Sequence, residues 1–279
     1  MSFLAFGIAI FATVLSPLTQ DENPQQNTAA VPNDEATKPQ EQAPATGFLY
    51  KTVEFQGTQY AYCVFIPPTY TEEQAWPVIL ALHGSGTVGD DGFLQTKEGI
   101  SIAIRNNWKM FPAIVVMPQC RRGHWWQGEM LEMALKCVED VSREYHCDQD
   151  RVYLTGLSMG GAGVWLLAAR LPDAFAAVVP ICGFWGHPFL PADANELAAA
   201  AKNLAKLPIW CFHGDADRNV PIERDREIIQ AIESAGGQVK FTEIPGGQHN
   251  VWDNTYANPV LWKWLFAQKR GANSGATSK

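Results

Sequence analysis

The chain has 279 residues, of which 47% are hydrophobic and 18% are charged, and its formal net charge is −8. These values are typical of a globular protein with one large or two small domains. An acidic chain offers no basic surface, which excludes a nucleic-acid partner. The cysteines and histidines show no zinc-site spacing, so no metal and no cofactor are expected.

The first 46 residues differ in composition from the rest. The apolar run 3–15 is too short for a comfortable membrane span, which needs about 20 residues, and it predicts a secretory signal within residues 1–20. No Lys or Arg precedes this run, so an uncleaved N-terminal membrane anchor is the alternative. Residues 21–46 are rich in Pro, Gln, Asn and Ala, which predicts a disordered linker. We therefore expect a secreted or periplasmic protein with a folded domain at 47–270 and a flexible tail at 271–279.

Strand-like and helix-like segments alternate through the rest of the chain. The strand-like segments are 48–55, 60–66, 77–84, 113–120, 151–155, 175–183, 208–214 and 239–246, and the helix-like segments are 100–106, 129–145, 162–170, 196–206, 222–234 and 258–269. The first two strands are predicted to pair in antiparallel fashion. The later alternation predicts a mostly parallel sheet with helices on both faces, whose binding groups lie at the carboxyl ends of the strands.

The stretch "RVYLTGLSMGGAGVW", residues 151–165, places one serine between two glycines. An apolar run precedes it and a helix-like run follows, so the chain must turn sharply at Gly-Leu-Ser-Met-Gly. In such a turn the serine is strained, and side chains at positions 156 and 160 would collide with their surroundings. The turn would expose the Ser158 hydroxyl and aim the first helix amides at an oxygen beside it. A glycine-rich loop remains the alternative, because a serine hydroxyl is inert without a base.

Two later strand ends offer an acid and a base. "HGDADRNVP" supplies Asp215 and Asp217 after the strand 208–214, and "PGGQHNVW" supplies His249 after the last strand. The order Ser, Asp, His, each after a separate strand, is that of the α/β-hydrolase triad. Asp217 is preferred because it lies further around its loop. Asp215 is the nearer alternative, and the more distant Asp253 is expected to cap a helix.

From residue 48 to about 268 the chain resembles the α/β-hydrolase superfamily, and within it the secreted esterases related to polyhydroxybutyrate depolymerases, feruloyl esterases and phospholipase/carboxylesterases. The matching pieces are "LALHGSG", "MPQC", "GLSMGG", "HGDADRNVP" and "GGQHNVW". The resemblance implies Ser158 as nucleophile, Asp217 as the residue that orients the base, and His249 as the base. It also implies an oxyanion hole formed by the amides of Ser85 and Met159. A serine at position 85 departs from the glycine or apolar residue more typical there.

Aromatic residues are concentrated in loops expected near Ser158. The candidates for substrate binding are Trp125, Trp126, Phe184, Trp185 and Trp252. Such flat apolar walls suit an aromatic acyl group or a sugar ring. Little chain separates residue 183 from the helix near residue 196, so little or no cap domain is expected and long acyl tails are disfavoured. The expected substrates are short-chain or hydroxycinnamoyl esters, either small molecules or linked to polysaccharide.

Two other functions are compatible with this scaffold. A non-catalytic binding protein would be expected to have lost a triad member, and none is missing. A peptidase of the prolyl-oligopeptidase kind shares the triad but generally adds a propeller domain, which no region here resembles. His83 and His213 are predicted to shape turns at strand ends and not to transfer protons. The sequence leaves open the oligomeric state and any pairing among the six cysteines.

Overall fold

The structure is a computed structural model that describes residues 44–109, 111–190 and 192–271. The predicted signal or anchor at 1–20, the predicted linker as far as residue 43 and the predicted tail from residue 272 lie outside these ranges. Among the described residues, no helix combines the length and the apolar character that a membrane crossing requires.

Eight strands of the described chain form one sheet that is parallel except at one edge. They are β1 (Gly47–Phe55), β2 (Thr58–Ile66), β3 (Trp76–Leu82), β4 (Ile114–Pro118), β5 (Cys147–Leu157), β6 (Ala177–Ile181), β7 (Ile209–Gly214) and β8 (Val239–Ile244). Their spatial order is β1-β2-β4-β3-β5-β6-β7-β8. Strand β2 runs antiparallel to both β1 and β4, and every other pair is parallel. The first hairpin turns at Gln56 and Gly57, both at positive φ, as a tight hairpin requires.

Helices cover both faces of this sheet. They are α1 (Ile100–Asn106), α2 (Glu129–Glu144), α3 (Met159–Arg170), α4 (Ala194–Leu204), α5 (Glu223–Ser234), α6 (Trp252–Ala257) and α7 (Pro259–Phe266). Successive strand residues face opposite sides, so Leu80 and Leu82 belong to the core cluster that includes residues of α2 to α5, whereas Ile79 and Ala81 belong to the cluster that includes residues of α1, α6 and α7. Because both faces are covered, all of β3 and β4 is buried.

The mostly parallel sheet with helices on both faces is confirmed. The last predicted helix, 258–269, corresponds to the somewhat shorter α7, and the sequence analysis missed the short helix α6, which ends before Asn258. Pro259 biases its predecessor away from helical geometry, and the Asn258 side chain accepts the Val260 amide at 2.9 Å to begin α7.

Asp253 does not cap α6, because the N-cap position is Val251 and Asp253 lies in the first turn. Residues 182–193 join β6 to α4, too short a connection for a cap domain.

Candidate active site

Ser158 occupies the turn between β5 and α3. Its φ of 54° and ψ of −117° lie in a region that residues other than glycine seldom adopt. Its amide donates to the Ile181 carbonyl at 2.9 Å, and its carbonyl accepts the Ala162 amide at 3.0 Å. The backbone on both sides is therefore bonded, and this over-determined setting maintains the strained conformation.

The glycines on either side of Ser158 have no room for a side chain. A Cβ on Gly156 would lie 2.5 Å from the Gly160 carbonyl oxygen, and a Cβ on Gly160 would lie 2.0 Å from the Leu82 carbonyl oxygen. Both contacts are with backbone, which cannot move aside as a flexible side chain could. The close approach of α3 to β3 therefore requires glycine at these positions.

The structure brings Ser158, His249 and Asp217 into one hydrogen-bonded chain. His249 Nε2 lies 2.9 Å from Ser158 Oγ, and His249 Nδ1 lies 2.7 Å from Asp217 Oδ2. The three residues come from loops after β5, β7 and β8, which end at the same edge of the sheet. The Asp217 side chain is fully buried and the His249 side chain is 16% exposed. A hydroxyl, a base and a carboxylate are thus aligned as nucleophilic catalysis requires.

The Asp217 carboxylate is held in a single orientation. Its Oδ1 accepts the amides of Asn219 at 2.8 Å and Val220 at 3.0 Å, which leaves Oδ2 facing His249. Burial alone would raise the pKa of Asp217, but hydrogen bonds from His213, from His249 and from the two amides hold it well below its usual range. Asp217 is therefore ionised at neutral pH.

The two alternative acids are engaged elsewhere. Asp215 is exposed, and its Oδ1 accepts the Gly246 amide at 2.7 Å. Asp253 Oδ2 accepts from the Asn250 side chain at 3.3 Å. Of the three candidate acids, Asp217 is the one whose carboxylate is hydrogen-bonded to His249.

The loop after β3 lies close to Ser158. A Cβ on Gly84 would be 3.7 Å from Ser158 Cβ, and Ser85 follows directly as the first residue of a 3₁₀ turn, Ser85–Thr87. Met159 is the first residue of α3. The first amides of a helix have no intrahelical partner, and Ser85 and Met159 both occupy such a first position.

Glu98 holds this loop, and the sequence analysis missed it. Its Oε1 accepts the Gly84 amide at 3.3 Å and the Thr87 hydroxyl at 2.8 Å. No spacing or motif marks a lone glutamate 14 residues after the loop that it supports, so sequence offered no signal for it.

His83 shapes the same loop, in the manner that the sequence predicts. Its Nδ1 donates to the Gly84 carbonyl at 2.7 Å, and its Nε2 accepts the Cys120 amide at 2.9 Å. Burial lowers the pKa of His83 to about 4. The ring is therefore neutral at physiological pH, with its proton on Nδ1.

The five aromatic candidates lie in different environments. Trp252 packs edge-on against His249, with ring centroids 5.5 Å apart. Trp125 is 47% exposed and packs edge-on against the buried Phe184. Trp185 is half-buried against the core. Trp125 and Trp252 are thus both partly exposed. Trp252 contacts the His249 ring, and Trp125 contacts the Phe184 ring.

The expectation that Trp126 forms part of an exposed wall is wrong. Trp126 is 1% exposed, and its indole N–H donates to the His83 carbonyl at 2.9 Å. A Cβ on Gly163 would lie 2.5 Å from Trp126 Cβ, so the missing side chain at position 163 makes room for this tryptophan. Phe184 is also buried, at 3% exposure, between Ala162 and Val220.

No group of three or more His, Cys, Asp or Glu side chains in the described ranges is arranged to hold a metal ion. All six cysteines fall within those ranges, and each is buried and unpaired. Cys182 directly follows β6, and burial raises the pKa of its thiol well above the usual value. These thiols are therefore small apolar core groups.

Two curated proteins illustrate the sequence relationships. The poly(3-hydroxyalkanoate) depolymerase C of Paucimonas lemoignei is 32% identical over 223 residues, which are 66% of this chain and 52% of that protein. An uncharacterized secreted protein of Arthroderma benhamiae is 25% identical over 229 residues, 71% of this chain and 24% of that protein. The aligned part thus spans about half of the first relative and about a quarter of the second.

Solved structures share the fold. A thermostable esterase superposes with a TM-score of 0.69 at 29% identity, over 80% of this chain and 63% of that one. A ferulic acid esterase superposes with a TM-score of 0.59 at 19% identity, over 78% of this chain and 96% of that one, which is a likeness of fold alone. The sequence model of the Esterase family matches residues 54–269. The chain therefore belongs to the Esterase family and has the α/β-hydrolase fold.

Proposed function

We propose that this chain is a serine carboxylic-ester hydrolase that works through Ser158, His249 and Asp217. The observation that carries the proposal is the chain of hydrogen bonds at 2.9 and 2.7 Å from the strained Ser158 through His249 to Asp217. Membership of the Esterase family supports the same chemistry.

In the acylation step, His249 Nε2 takes the Ser158 hydroxyl proton as Oγ attacks the ester carbonyl carbon. Asp217 keeps the proton on His249 Nδ1 and stabilises the imidazolium. The amides of Ser85 and Met159 donate to the oxyanion. Collapse of the tetrahedral intermediate breaks the bond to the alcohol, which leaves with the proton held on Nε2.

Deacylation repeats these roles with water as the nucleophile. His249 Nε2 removes a proton from water, the resulting oxygen attacks the acyl carbon, and the same two amides hold the second oxyanion. The C–O bond to Ser158 breaks, Oγ recovers its proton from His249, and the acid departs. The net reaction consumes one ester and one water and requires no cofactor.

The proposed substrates are short-chain or hydroxycinnamoyl esters, free or linked to polysaccharide. Trp125 presents nearly half of its surface to solvent, and the Trp252 ring lies beside the base. Faces of this kind stack on aromatic acyl groups and sugar rings. The short connection between β6 and α4 offers no lid to cover a long acyl tail. The fold shared with a ferulic acid esterase is compatible with this choice.

Export is part of the proposal. The apolar run 3–15 and the polar segment after it favour a secreted or periplasmic protein, with an uncleaved anchor as the alternative. One relative bears the name of a secreted protein. Fractionation of cells that express the full chain tests this, and enrichment in the cytoplasm would contradict it.

The deciding experiment is a substrate panel with purified protein. It contains aryl esters of increasing acyl length, a hydroxycinnamoyl ester, an acetylated sugar and a dipeptide amide. We expect turnover to fall steeply beyond roughly eight acyl carbons, because no segment among the described residues forms a lid over a longer tail. Rapid cleavage of the amide would favour a peptidase, and no cleavage of any member would favour a binding protein.

A covalent probe locates the nucleophile independently of substrate. A fluorophosphonate should label wild-type protein once, and Ser158→Ala should abolish labelling and reduce ester turnover roughly 10⁴-fold. Ser234→Ala is the matched control, since its hydroxyl bonds only the Gln230 carbonyl at the end of α5. Labelling that persists in Ser158→Ala would move the nucleophile elsewhere.

A further inference from the structure

A second histidine lies behind the Ser158, His249 and Asp217 chain, completely enclosed. His213 is the penultimate residue of β7, and its side chain has no solvent exposure. Its Nε2 lies 2.9 Å from the Val220 carbonyl and 3.2 Å from Asp217 Oδ2, the same oxygen that accepts from His249. Its Nδ1 lies 2.8 Å from Asp225 Oδ2.

These contacts define the protonation state of His213. Both ring nitrogens face oxygen acceptors, and a neutral imidazole has only one N–H to donate. Asp225 cannot supply the missing proton readily, because its carboxylate is already surrounded by donors. They are the Trp165 indole at 2.7 Å, the Gly183 amide at 3.2 Å and the Cys211 thiol at 3.3 Å. The arrangement therefore requires an imidazolium at His213 and carboxylates on either side. His83 shows the opposite pattern, with one donor and one acceptor nitrogen.

We propose that His213 and Asp225 are positioning residues, a buried imidazolium–carboxylate pair that keeps Asp217 ionised and directed at His249. The inference rests on the proposed function of Asp217. Without the cation, Asp217 and Asp225 would be two uncompensated carboxylates in the interior, an arrangement that is strongly destabilising. Asp225 also binds Trp165 in α3, so it links the loop of the acid to the helix that follows the nucleophile.

The charge balance around His213 supports this role. Among the other ionisable groups nearby, Cys182 and Cys211 interact with Asp225, and Glu243 interacts with His213. Burial raises the pKa of both thiols well above their usual value, so they are neutral. Glu243 is already paired with Arg226 at 2.6 Å. Burial would lower the pKa of His213, but the hydrogen bonds that its ring donates to Asp217 and Asp225 outweigh burial and raise the pKa to about 10.

The first test reads the charge of His213 by ring-¹⁵N NMR of the histidine-labelled full chain, with His213→Gln used to assign its signals. We expect His213 to keep both ring protons from pH 6 to 8.5, and Asp225→Asn to bring the loss of one of them into that range. His83 serves as the internal reference for a neutral ring. A singly protonated His213 in wild-type protein at pH 7 would overturn the proposal.

The second test reads the effect on His249. His213→Gln removes a cation close to Asp217, so the acid limb of the pH profile of kcat/KM should move to higher pH. Trp165→Phe is the control, because it removes a donor to Asp225 without changing any charge. The midpoint of its acid limb should equal that of wild type. If the acid limbs of His213→Gln and Trp165→Phe had equal midpoints, the role of His213 and Asp225 would be structural only. The NMR readings need no substrate, so they stand even if no ester is hydrolysed and the proposed function fails.

Discussion

The carbonyl oxygen of Leu82 occupies the space in which residue 160 would carry a side chain, only 2.0 Å from the ideal Cβ position. This contact joins the end of β3 to the first turn of α3. It therefore couples two parts of the site, since the loop with Ser85 begins just after Leu82 and Ser158 lies two residues before Gly160. A displacement of either element would change the geometry of both.

Gly160→Ala should consequently lower both stability and ester turnover. Overpacking against rigid backbone costs about 1–3 kcal/mol or more, and α3 can relieve the clash only by moving Ser158. Urea unfolding measures the first effect and kcat/KM the second. Gly86→Ala is the control, because a Cβ there meets no heavy atom within 4 Å, and its stability should change by less than about 0.5 kcal/mol. Equal stability of the two variants would contradict the steric account.

The acid can be identified by a pair of asparagine substitutions. In Asp217→Asn, the amide oxygen must face the amides of Asn219 and Val220, so the NH₂ group points at His249 and favours the wrong tautomer. Turnover should fall by roughly 10³- to 10⁴-fold. Asp215→Asn keeps an oxygen for the Gly246 amide and should retain most of its turnover. Steady-state kinetics decide between them, and a larger loss in Asp215→Asn would assign the acid to position 215.

The sequence predicted the sheet and the positions of Ser158, Asp217 and His249 because each lies in a loop directly after a strand, and parallel strands end at one edge. The burial of Trp126 could not be predicted in this way. The direction of a loop side chain depends on packing, here on the space left by Gly163. The partnership of His213 with Asp225 was also beyond local patterns, because α5 delivers the carboxylate from 12 residues away.

Trp125 offers a test of the substrate surface. Trp125→Ala removes an exposed aromatic face that contacts Phe184, so KM for a hydroxycinnamoyl or sugar-linked ester should rise several-fold with little change for a small acetate ester. A stacking contact contributes about 0.5–1.5 kcal/mol, which corresponds to such a change. Trp108→Ala is the matched control, since Trp108 is 45% exposed and lies between α1 and the start of β4, at the opposite edge of the sheet from Ser158. The same rise in KM in both variants would argue against stacking at Trp125.

His83 should make the protein less stable in mild acid. Burial lowers its pKa to about 4 from an ordinary value of 6.5, so between these pH values the unfolded chain binds a proton that the folded chain does not. Unfolding is then favoured increasingly as pH falls from about 6.5 towards 4, by up to about 3 kcal/mol. His83→Gln lacks this titration but shares every other one. The free energy of unfolding by urea should therefore fall less steeply in the variant than in wild type as pH is lowered from 7.5 to 4.5. The difference in unfolding free energy between the two proteins should become smaller over this range. Parallel curves would mean that His83 binds its proton equally well in the folded chain, in conflict with its acceptor role towards the Cys120 amide.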